Sequence, residues 1–321
     1  MKSPQDPERT SEPVPPSPDP RPGLENEPDR AAPSRIPGQD HYFLIGEVVT
    51  ASGPRKTFDE SDPVQDVELG EDSGGVTLIG NEWALLWVAD GASQTSKVGA
   101  YSSRILSQDL GRAFSANAFS AWLNARNSRE SPPSLARLMT QSVEEVFNDW
   151  NDSLNPGSAI YQALVNGFQA PGNPPGAEES PQGILLHEFA ATFSAASLGR
   201  DGNFQAVSVG DSYLVLNGAN GTRFFSLEQG HITFRLKWKS GRAEFEKFVP
   251  PPENLDADGV NLVILSTDGA RDTVKFLYET VCHKTTFDFD SLNALKKKIA
   301  RIRPRTQDDK TLGLMGRFHE D

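Results

Sequence analysis

The chain has 321 residues, a hydrophobic fraction of 36% and a formal net charge of −13, with an isoelectric point near 4.9. This acidic balance argues against a nucleic-acid-binding protein, which would need a basic face to displace counterions, but it suits an enzyme that binds divalent cations. The single cysteine, Cys282, excludes an internal disulfide and a thiolate zinc site, and it fits a reducing compartment such as the cytoplasm.

The first 38 residues differ in composition from the rest of the chain. They hold 11 of the 24 prolines and almost no large apolar side chains. Such a segment cannot bury enough surface to offset its ordering entropy, so we predict a disordered tail at 1–38 and a folded domain at 39–321. We find no apolar stretch with the length of a signal peptide or a membrane span, and we therefore expect a cytoplasmic protein without membrane association.

In the first half of the domain, the apolar pattern predicts two strands followed by two helices. Residues 42–51 are apolar and β-branched, and residues 82–89 (EWALLWVA) form a nearly continuous apolar run that is typical of a buried strand. Apolar residues recur at helical spacing over 96–114 and 135–150. The Gly- and Pro-rich segment 156–182 is predicted to be a loop around a short helix.

The second half follows the same order of strands and then helices. Short β-type runs separated by turn signals predict strands at 190–198, 204–209, 213–216 and 222–226. The polar segment 231–252 is a candidate surface flap. The pattern is completed by a buried strand at 261–266, helices at 271–282 and 291–301, and a terminal strand at 310–315. Runs of strands separated by pairs of helices indicate a layered α+β domain.

Four aspartates stand next to predicted strands. Asp90 and Asp268 follow buried strands. Asp308 precedes the terminal strand, and Asp66 opens a β-type run. Aspartate is costly to bury without a partner, so several carboxylates at strand ends point to a shared cation. Hard oxygen ligands favour Mg²⁺ or Mn²⁺, and the glycine after Asp90, Gly91, lets a backbone carbonyl join the ligands.

These aspartates lie in motifs that resemble those of the type 2C (PPM) metal-dependent serine/threonine protein phosphatases. The resembling segments, in the family's order, are 65–66 (QD), 87–91 (WVADG), 208–212 (SVGDS), 264–269 (ILSTDG) with Asp272, and 308–311 (DDKT). The segment 90–93 (DGAS), with Gly99 and Ala100 downstream, is most similar to a bacterial branch of the family. The combination of these motifs in one chain is specific for the family, although a single Asp-Gly is typical of an ordinary turn.

The resemblance implies a four-layer αββα sandwich, in which two central antiparallel β-sheets are flanked by helix pairs. It also implies site residues. The implied metal ligands are Asp66, Asp90 as the bridge between two ions, the Gly91 carbonyl, Asp268 and Asp308, with Asp211 and Asp272 at a weaker third site. Of these, Asp90 and Asp268 are expected to be catalytic. Asp211 could equally be a structural turn residue, since an aspartate in a hairpin needs no ion.

The same resemblance implies an enzyme that removes phosphate from serine and threonine of proteins. Its cofactors would be two Mn²⁺ or Mg²⁺ ions, with a third ion at the weaker site, and a water between the two main ions would attack the phosphorus. No phosphoenzyme is needed, and Cys282 has no part. The implied partners are phosphorylated proteins, namely a Ser/Thr kinase or its substrates. The protein is expected to be a monomer that binds neither nucleic acid nor membrane.

Three positions depart from the family pattern. Ala92 stands where many eukaryotic members carry a histidine that is a candidate general acid, so water would have to protonate the leaving group. Ser61 stands where many members carry an arginine that grips the phosphate, and Arg55 or Lys56 could substitute for it. Asp309 replaces the asparagine of the last motif, which leaves two adjacent candidate ligands, of which alignment favours the first.

Two segments outside these motifs have a second interpretation. Residues 72–75 (DSGG) are superficially similar to the nucleophile region of trypsin-like proteases. They lack that family's context and are predicted to be a turn before a strand at 76–79. Residues 296–305 hold six basic side chains, for which a solvated helix end is favoured over a docking patch for phosphoproteins.

Two other functions remain as alternatives. The missing histidine and arginine favour a catalytically weak family member that acts as a binding or signalling module. A metal-dependent hydrolase of small phosphoesters is the third candidate, and it predicts fast turnover of free metabolites with indifference to phosphopeptides. The set of four metal aspartates argues for the phosphatase, because a binding module has little reason to keep so costly a carboxylate cluster.

Overall fold

The structure is a computed structural model that describes residues 42–51, 70–93, 97–128, 134–153, 188–239, 242–284, 286–299 and 309–319. All of these residues belong to the unit Gly38–Asp321. The predicted tail at 1–38 and the predicted loop at 156–182 lie outside the described residues, as do Asp66 and Asp308.

The described elements follow the predicted order of strands, helices, strands, helices and a last strand. The strands are β1 Tyr42–Ala51, β2 Ser73–Ile79, β3 Trp83–Ala89, β4 Gly91–Ser93, β5 Glu188–Ala191, β6 Phe193–Gly199, β7 Phe204–Val209, β8 Tyr213–Gly218, β9 Gly221–Ser226, β10 Ile232–Lys239, β11 Arg242–Phe248, β12 Glu253–Ala257, β13 Val260–Ser266 and β14 Lys310–His319. The helices are α1 Lys97–Ser128, α2 Leu135–Ser153, α3 Arg271–Val281 and α4 Phe289–Ile299, and a 3₁₀ turn at Asp268–Ala270 leads into α3. Among the described helices, none combines the length and the apolar composition needed to cross a membrane.

Within the described residues, the strands form three antiparallel sheets. Sheet A has the order β1-β14-β13-β8-β9, sheet B the order β12-β7-β6-β3-β2, and sheet C the order β11-β10-β5-β4. Helices α1 and α2 pack on sheets B and C, whereas α3 and α4 pack on the outer face of sheet A. The predicted four-layer αββα sandwich is therefore confirmed, with one correction: the layer beside α1 and α2 consists of two sheets instead of one.

Strand β3 has both faces covered, which explains its nearly continuous apolar sequence. Successive side chains of a strand point to opposite faces. Leu85 and Trp87 pack in the core under α1 and α2, whereas Leu86 and Val88 pack in the core between sheets A and B. Because every position after Trp83 is buried, apolar residues do not alternate with polar ones.

Strand β13 divides its side chains between two cores in the same way. Val263 and Leu265 face sheet B, and Leu262 and Ile264 face α3 and α4. Full burial of each of these side chains stabilises the fold by roughly 1.5–3 kcal/mol. The two cores hold sheet A firmly between sheet B and the second helix pair, so residues at the ends of β13 have a fixed position relative to β3.

The polar segment 231–252, predicted to be a surface flap, differs from its prediction. It contains the hairpin of β10 and β11, and β10 pairs with β5. Phe234 and Phe245 of the hairpin stack on Phe147 and Trp150 of α2. Apolar and polar residues alternate over 232–238 and 243–246, so the sequence does carry a strand signal here, which the flap interpretation overlooked. Aromatic stacking across elements then fixes the hairpin on α2.

Residues 72–75 also differ from their prediction, because Ser73, Gly74 and Gly75 begin strand β2 and do not form a turn. Two glycines in this segment have a packing role. A Cβ at Gly74 would lie 2.5 Å from Thr311 Cγ2, and a Cβ at Gly75 would lie 2.6 Å from Trp87 Nε1. The glycines therefore let β2 approach sheet A and a tryptophan ring closely, and they mark no reversal of the chain.

Candidate active site

Asp90 lies between two consecutive strands, after β3 and before β4. Thr192 holds its backbone on both sides. The Asp90 N–H donates to Thr192 Oγ1 at 3.1 Å, and the Thr192 N–H donates to the Asp90 carbonyl at 2.8 Å. Thr192 is buried, whereas Asp90 is partly open to solvent. Asp90 therefore has a fixed backbone at an accessible edge of the sandwich.

Gly91 brings the segment before β2 against the end of β3. A Cβ at Gly91 would lie 2.8 Å from the Glu71 carbonyl oxygen and 2.9 Å from Glu71 Cβ, so this approach requires glycine. Strand β2 pairs with β3 from its first residue, which lies opposite the last residue of β3. Extending this antiparallel register by one residue places Asp72 opposite Asp90.

Thr267 joins Asp72 to the end of β13. Its hydroxyl donates to Asp72 Oδ2 at 2.8 Å and accepts a hydrogen bond from the Thr311 N–H at 3.0 Å. The Thr267 N–H in turn donates to the Thr311 carbonyl at 3.0 Å. Asp268 is the next residue, so the bonds that orient Asp72 also fix the backbone beside Asp268.

Asp309 is a deeply buried acidic residue at the same edge, with 1% of its surface exposed. Its Oδ2 accepts the Glu71 N–H at 2.7 Å. Gly70, at φ +58°, leaves no room for a side chain, because a Cβ would overlap the Asp309 carboxyl group. Asp309 therefore fixes the turn that leads into Asp72, and it joins the start of β14 to the start of β2.

Asp211 and Asp272, predicted at a third metal site, occupy different kinds of position. Asp211 follows Gly210 in the turn between β7 and β8. Gly210 packs so closely on Thr192 that a Cβ would overlap the threonine side chain, so this turn contacts the residue that holds the end of β3. Asp272 is exposed in the first turn of α3, directly after the 3₁₀ turn.

The acidic edge, as we call it below, consists of Glu71, Asp72, Asp90, Asp268 and Asp309. Two of its members are predicted ligands, and Asp309 is the alternative that the sequence left open. Sequence reasoning missed Glu71 and Asp72. The hydrogen bonds of Thr267 and Asp309, together with the contact of Gly91 with Glu71, bring these chain segments together.

The donors at the acidic edge are carboxylate, hydroxyl and carbonyl oxygens, which fit Mg²⁺ or Mn²⁺ and do not fit a soft metal. Within the ranges that the structure describes, no three acidic, histidine or cysteine side chains converge closely enough to form a complete metal cage. The predicted ligands Asp66 and Asp308 lie outside those ranges. The described residues therefore offer the donor chemistry that a hard cation prefers, without forming a complete cage.

The missed residues carry signals of different strength. Glu71 and Asp72 form an acidic pair directly before a strand, which is the chemistry that the resemblance assigns to residues 65–66. The two glycines that follow Asp72 favour a turn interpretation and hide this signal. Thr192 and Thr267 have no local signal, because threonine is common in strands whether or not its hydroxyl has a role.

The departures from the family pattern lie partly within the described residues. Ala92 is exposed, and its carbonyl accepts a hydrogen bond from the Ser103 hydroxyl at 2.7 Å. Its methyl group offers no proton to a leaving group. Ser61, Arg55 and Lys56 lie outside the described residues.

Comparison with protein-family models matches residues 64–301, more than half of the chain, to the model of protein phosphatase 2C. This range contains four of the five residues of the acidic edge and ends before Asp309. None of the curated proteins matches the sequence.

Several solved structures are similar to this chain at low identity. The Mycobacterium tuberculosis serine/threonine phosphatase PstP/Ppp is 13% identical, with a TM-score of 0.49 over 87% of this chain and 100% of that chain. The S. agalactiae serine/threonine phosphatase is 14% identical, with a TM-score of 0.44 over 87% of this chain and 100% of that chain. RsbX in complex with magnesium is 14% identical, with a TM-score of 0.42 over 85% of this chain and 95% of that chain.

Proposed function

Because the chain belongs to the protein phosphatase 2C family, we propose that it is a metal-dependent phosphatase that hydrolyses phosphoserine and phosphothreonine in proteins. The observation that supports this proposal is the acidic edge, where hydrogen bonds and strand pairing join segments of sheets A and B that carry five acidic residues. The proposed partners are phosphorylated proteins, including a serine/threonine kinase or its substrates.

We propose that the acidic edge holds two Mn²⁺ or Mg²⁺ ions. Asp90, Asp268 and Asp308 would supply carboxylates, and the Gly91 carbonyl would be a further ligand. A third ion is proposed at Asp211 and Asp272. Oxygen ligands of this kind suit either metal.

On the side of β2, we propose Asp72 as the ligand in place of Asp66. Asp72 lies opposite Asp90 in the extended register of β2 and β3. Its Oδ2 is already oriented by the hydroxyl of Thr267, which precedes another proposed ligand, Asp268.

When bound, the ions would supply an activated water and would offset negative charge on the phosphoryl oxygens. The residues of the chain prepare the site for them. Thr267 and Asp309 hold their partners by hydrogen bonds, so the carboxylates need little reorganisation when a substrate arrives. Ala92 has no acidic proton, so the departing serine or threonine oxygen takes its proton from solvent water.

The test is hydrolysis of p-nitrophenyl phosphate and of a phosphothreonine peptide with EDTA, Mg²⁺ or Mn²⁺, for the wild type, Asp268→Ala and Asp90→Asn. We expect turnover that requires metal and falls by more than about 100-fold in both variants, since loss of even an outer partner of a metal ligand costs about 10- to 100-fold. Asp258→Asn changes an exposed aspartate between β12 and β13, and should keep wild-type turnover. Unchanged hydrolysis in Asp90→Asn would reject the site.

A catalytically weak binding module is the alternative that Ala92 supports, because this exposed position lacks an acid group. A folded protein that binds the phosphothreonine peptide but turns over neither substrate with any metal would favour this alternative. Fast turnover of small phosphate esters with no hydrolysis of the peptide would instead favour a hydrolase of free metabolites.

A further inference from the structure

Sheets B and C meet at Asp90 and Thr192, and the strand pairs on the two sides of this junction follow the same antiparallel register. In sheet B, β3 pairs with β6 in the register that places Trp83 opposite Gly199. In sheet C, β4 pairs with β5 in the register that places Ser93 opposite Phe189. The two registers are the same, so no residue is inserted or deleted at the junction of the sheets, and Asp90 lies opposite Thr192.

At this junction a side chain replaces one backbone acceptor. An antiparallel hydrogen-bonded pair normally exchanges two N–H to carbonyl bonds. The Thr192 N–H makes its expected bond to the Asp90 carbonyl at 2.8 Å. The Asp90 N–H, however, donates to Thr192 Oγ1 at 3.1 Å and not to the Thr192 carbonyl. The hydroxyl is therefore inserted into the ladder at the point where the strand leaves sheet B for sheet C.

The methyl side of the same threonine faces the turn between β7 and β8. A Cβ at Gly210, where φ is +141°, would overlap Thr192 Cβ and lie 2.7 Å from Thr192 Cγ2. Thr192 is 1% exposed, so its side chain has no freedom to move away. The position of Thr192 thus sets the position of Gly210, which directly precedes Asp211.

We propose that Thr192 is a positioning residue for the metal site. Its hydroxyl bends the strand pair so that Asp90 points to the acidic edge. Its methyl group supports the turn that carries Asp211. This inference rests on the proposed function only in that Asp90 holds a metal ion. Valine at this position would keep the shape of the side chain but would offer the Asp90 N–H no acceptor. The ladder would then lose a bond or straighten, and Asp90 would turn relative to Asp72.

The experiment compares Thr192→Val with Thr192→Ser in the full chain. Amide hydrogen exchange of Asp90, measured by NMR on metal-free protein, should be at least about threefold faster in Thr192→Val, as expected for loss of one hydrogen bond. Mn²⁺ binding, measured by calorimetry, should weaken by about 10- to 100-fold. Thr192→Ser keeps the hydroxyl and should restore wild-type exchange at Asp90 and Mn²⁺ affinity within about threefold.

The matched control is Ser194→Ala. Ser194 lies on β6, two residues after Thr192, and is buried. Its hydroxyl bonds to Ser208 Oγ and Ser212 Oγ at 2.7 Å. The Ser194→Ala variant should have lower thermal stability but unchanged amide exchange at Asp90. This control distinguishes a positioning effect on Asp90 from the general effect of removing a buried hydroxyl.

Wild-type exchange at Asp90 in Thr192→Val, or fast exchange in Thr192→Ser, would overturn the inference. The second variant keeps the test decisive if the first does not fold. If the wild type itself binds no Mn²⁺ and hydrolyses no phosphoester, the proposed function fails, while the exchange measurement still decides whether Thr192 holds Asp90.

Discussion

Thr267 orients two segments of the acidic edge with a single hydroxyl group. A threonine hydroxyl can donate one hydrogen bond and accept others. Here it donates to Asp72 and accepts from the backbone of Thr311, so the start of β2 and the start of β14 are both fixed to the end of β13. A valine of the same shape could do neither. At the scale of the residue, the site depends on the hydroxyl groups that hold the carboxylates as well as on the carboxylates themselves.

The first prediction distinguishes Asp72 from Asp66 as the ligand on the side of β2. Asp72→Asn should reduce metal-dependent turnover by more than about 100-fold, because it removes a charged oxygen beside Asp90. Asp66→Asn should change turnover by less than about threefold, and steady-state kinetics at saturating Mn²⁺ will show the difference. The reverse result would indicate that Asp66, and not Asp72, is the metal ligand.

The second prediction assigns different roles to Asp308 and Asp309. Asp309→Ala should lower the free energy of unfolding by about 1–3 kcal/mol, because the buried Glu71 N–H loses its acceptor. Asp309→Asn keeps an oxygen acceptor and should cost less than about 1 kcal/mol. Asp308→Asn should leave stability unchanged and abolish turnover, which urea unfolding and kinetics together will measure. Full activity of Asp308→Asn would indicate that Asp309 is the metal ligand.

At the scale of the element, helix α3 is anchored at its far end by a buried side chain of β8. Asn217 is fully buried, and its Nδ2 donates to the Lys284 carbonyl at 2.6 Å and to the Val281 carbonyl at 3.2 Å. The last carbonyls of a helix have no partner within the helix, so a side-chain donor satisfies them. Asp268 lies at the opposite end of this helix, in the 3₁₀ turn that leads into it, so the anchor is distant from Asp268.

The third prediction follows from that anchor. Asn217→Ala should lower the free energy of unfolding by about 1–3 kcal/mol, because the Lys284 carbonyl loses the Asn217 amide and the Val281 carbonyl keeps only the Lys284 N–H of these two donors. Turnover measured well below the melting temperature should remain, since the acidic edge lies at the other end of the helix. Asn220→Ala changes an exposed turn residue nearby and should have an effect within about 0.5 kcal/mol. Equal effects of the two variants in denaturant titrations would contradict the anchoring role.

The fourth prediction concerns the contact between α1 and β3. A Cβ at Gly111 of α1 would overlap the ring of Trp87, whose Nε1 donates to Ser115 Oγ at 2.8 Å. Gly111→Ala gains about 1 kcal/mol of helix propensity, but overpacking against the ring costs about 1–3 kcal/mol, so we expect net destabilisation. Ser120→Ala, at an exposed position of α1, should instead be neutral or slightly stabilising. A higher melting temperature of Gly111→Ala would show that the ring can move.

At the scale of the whole molecule, the metal binding proposed for the acidic edge would link the stability of the sandwich to the metal concentration. Segments from sheets A and B meet there, and like charges at a partly buried edge oppose that meeting when no cation is bound. A cation that binds only the folded state stabilises it by mass action.

The fifth prediction is therefore a dependence of thermal stability on metal. Mn²⁺ at about 100 times its Kd should raise the free energy of unfolding by about 2.7 kcal/mol relative to EDTA, and the melting temperature should rise by several degrees. The increase should disappear in Asp90→Asn, whereas Asp258→Asn should keep it. An equal rise in all three proteins, measured by scanning calorimetry, would indicate binding away from the acidic edge.

The sequence predicts those features of the fold that depend on neighbouring residues. Strand β1 has the predicted boundaries, and β3 and β13 lie within a residue of theirs, because each is a local apolar run. The ends of these runs also indicate where Asp90 and Asp268 lie. Asp72 could not be assigned in this way, since its hydrogen bond comes from Thr267, 195 residues away in the sequence. The start of β2 is not determined by local pattern, because it depends on contacts with distant elements. The β10–β11 hairpin does have a local signal, the alternation of apolar and polar residues over 232–238 and 243–246, but its pairing with β5 depends on a distant element.

Strands β1 and β14 also decide how the domain responds to force. Tyr42, the first residue of β1, pairs with His319, the last residue of β14. A pull on these two ends loads the ladder at one end only, so its hydrogen bonds break one after another, as in a zipper, and are never sheared together. Because β1 is an edge strand of sheet A, it can peel away while β14 stays paired with β13. A domain stabilised by three packed cores is therefore mechanically weak along the line that joins its ends.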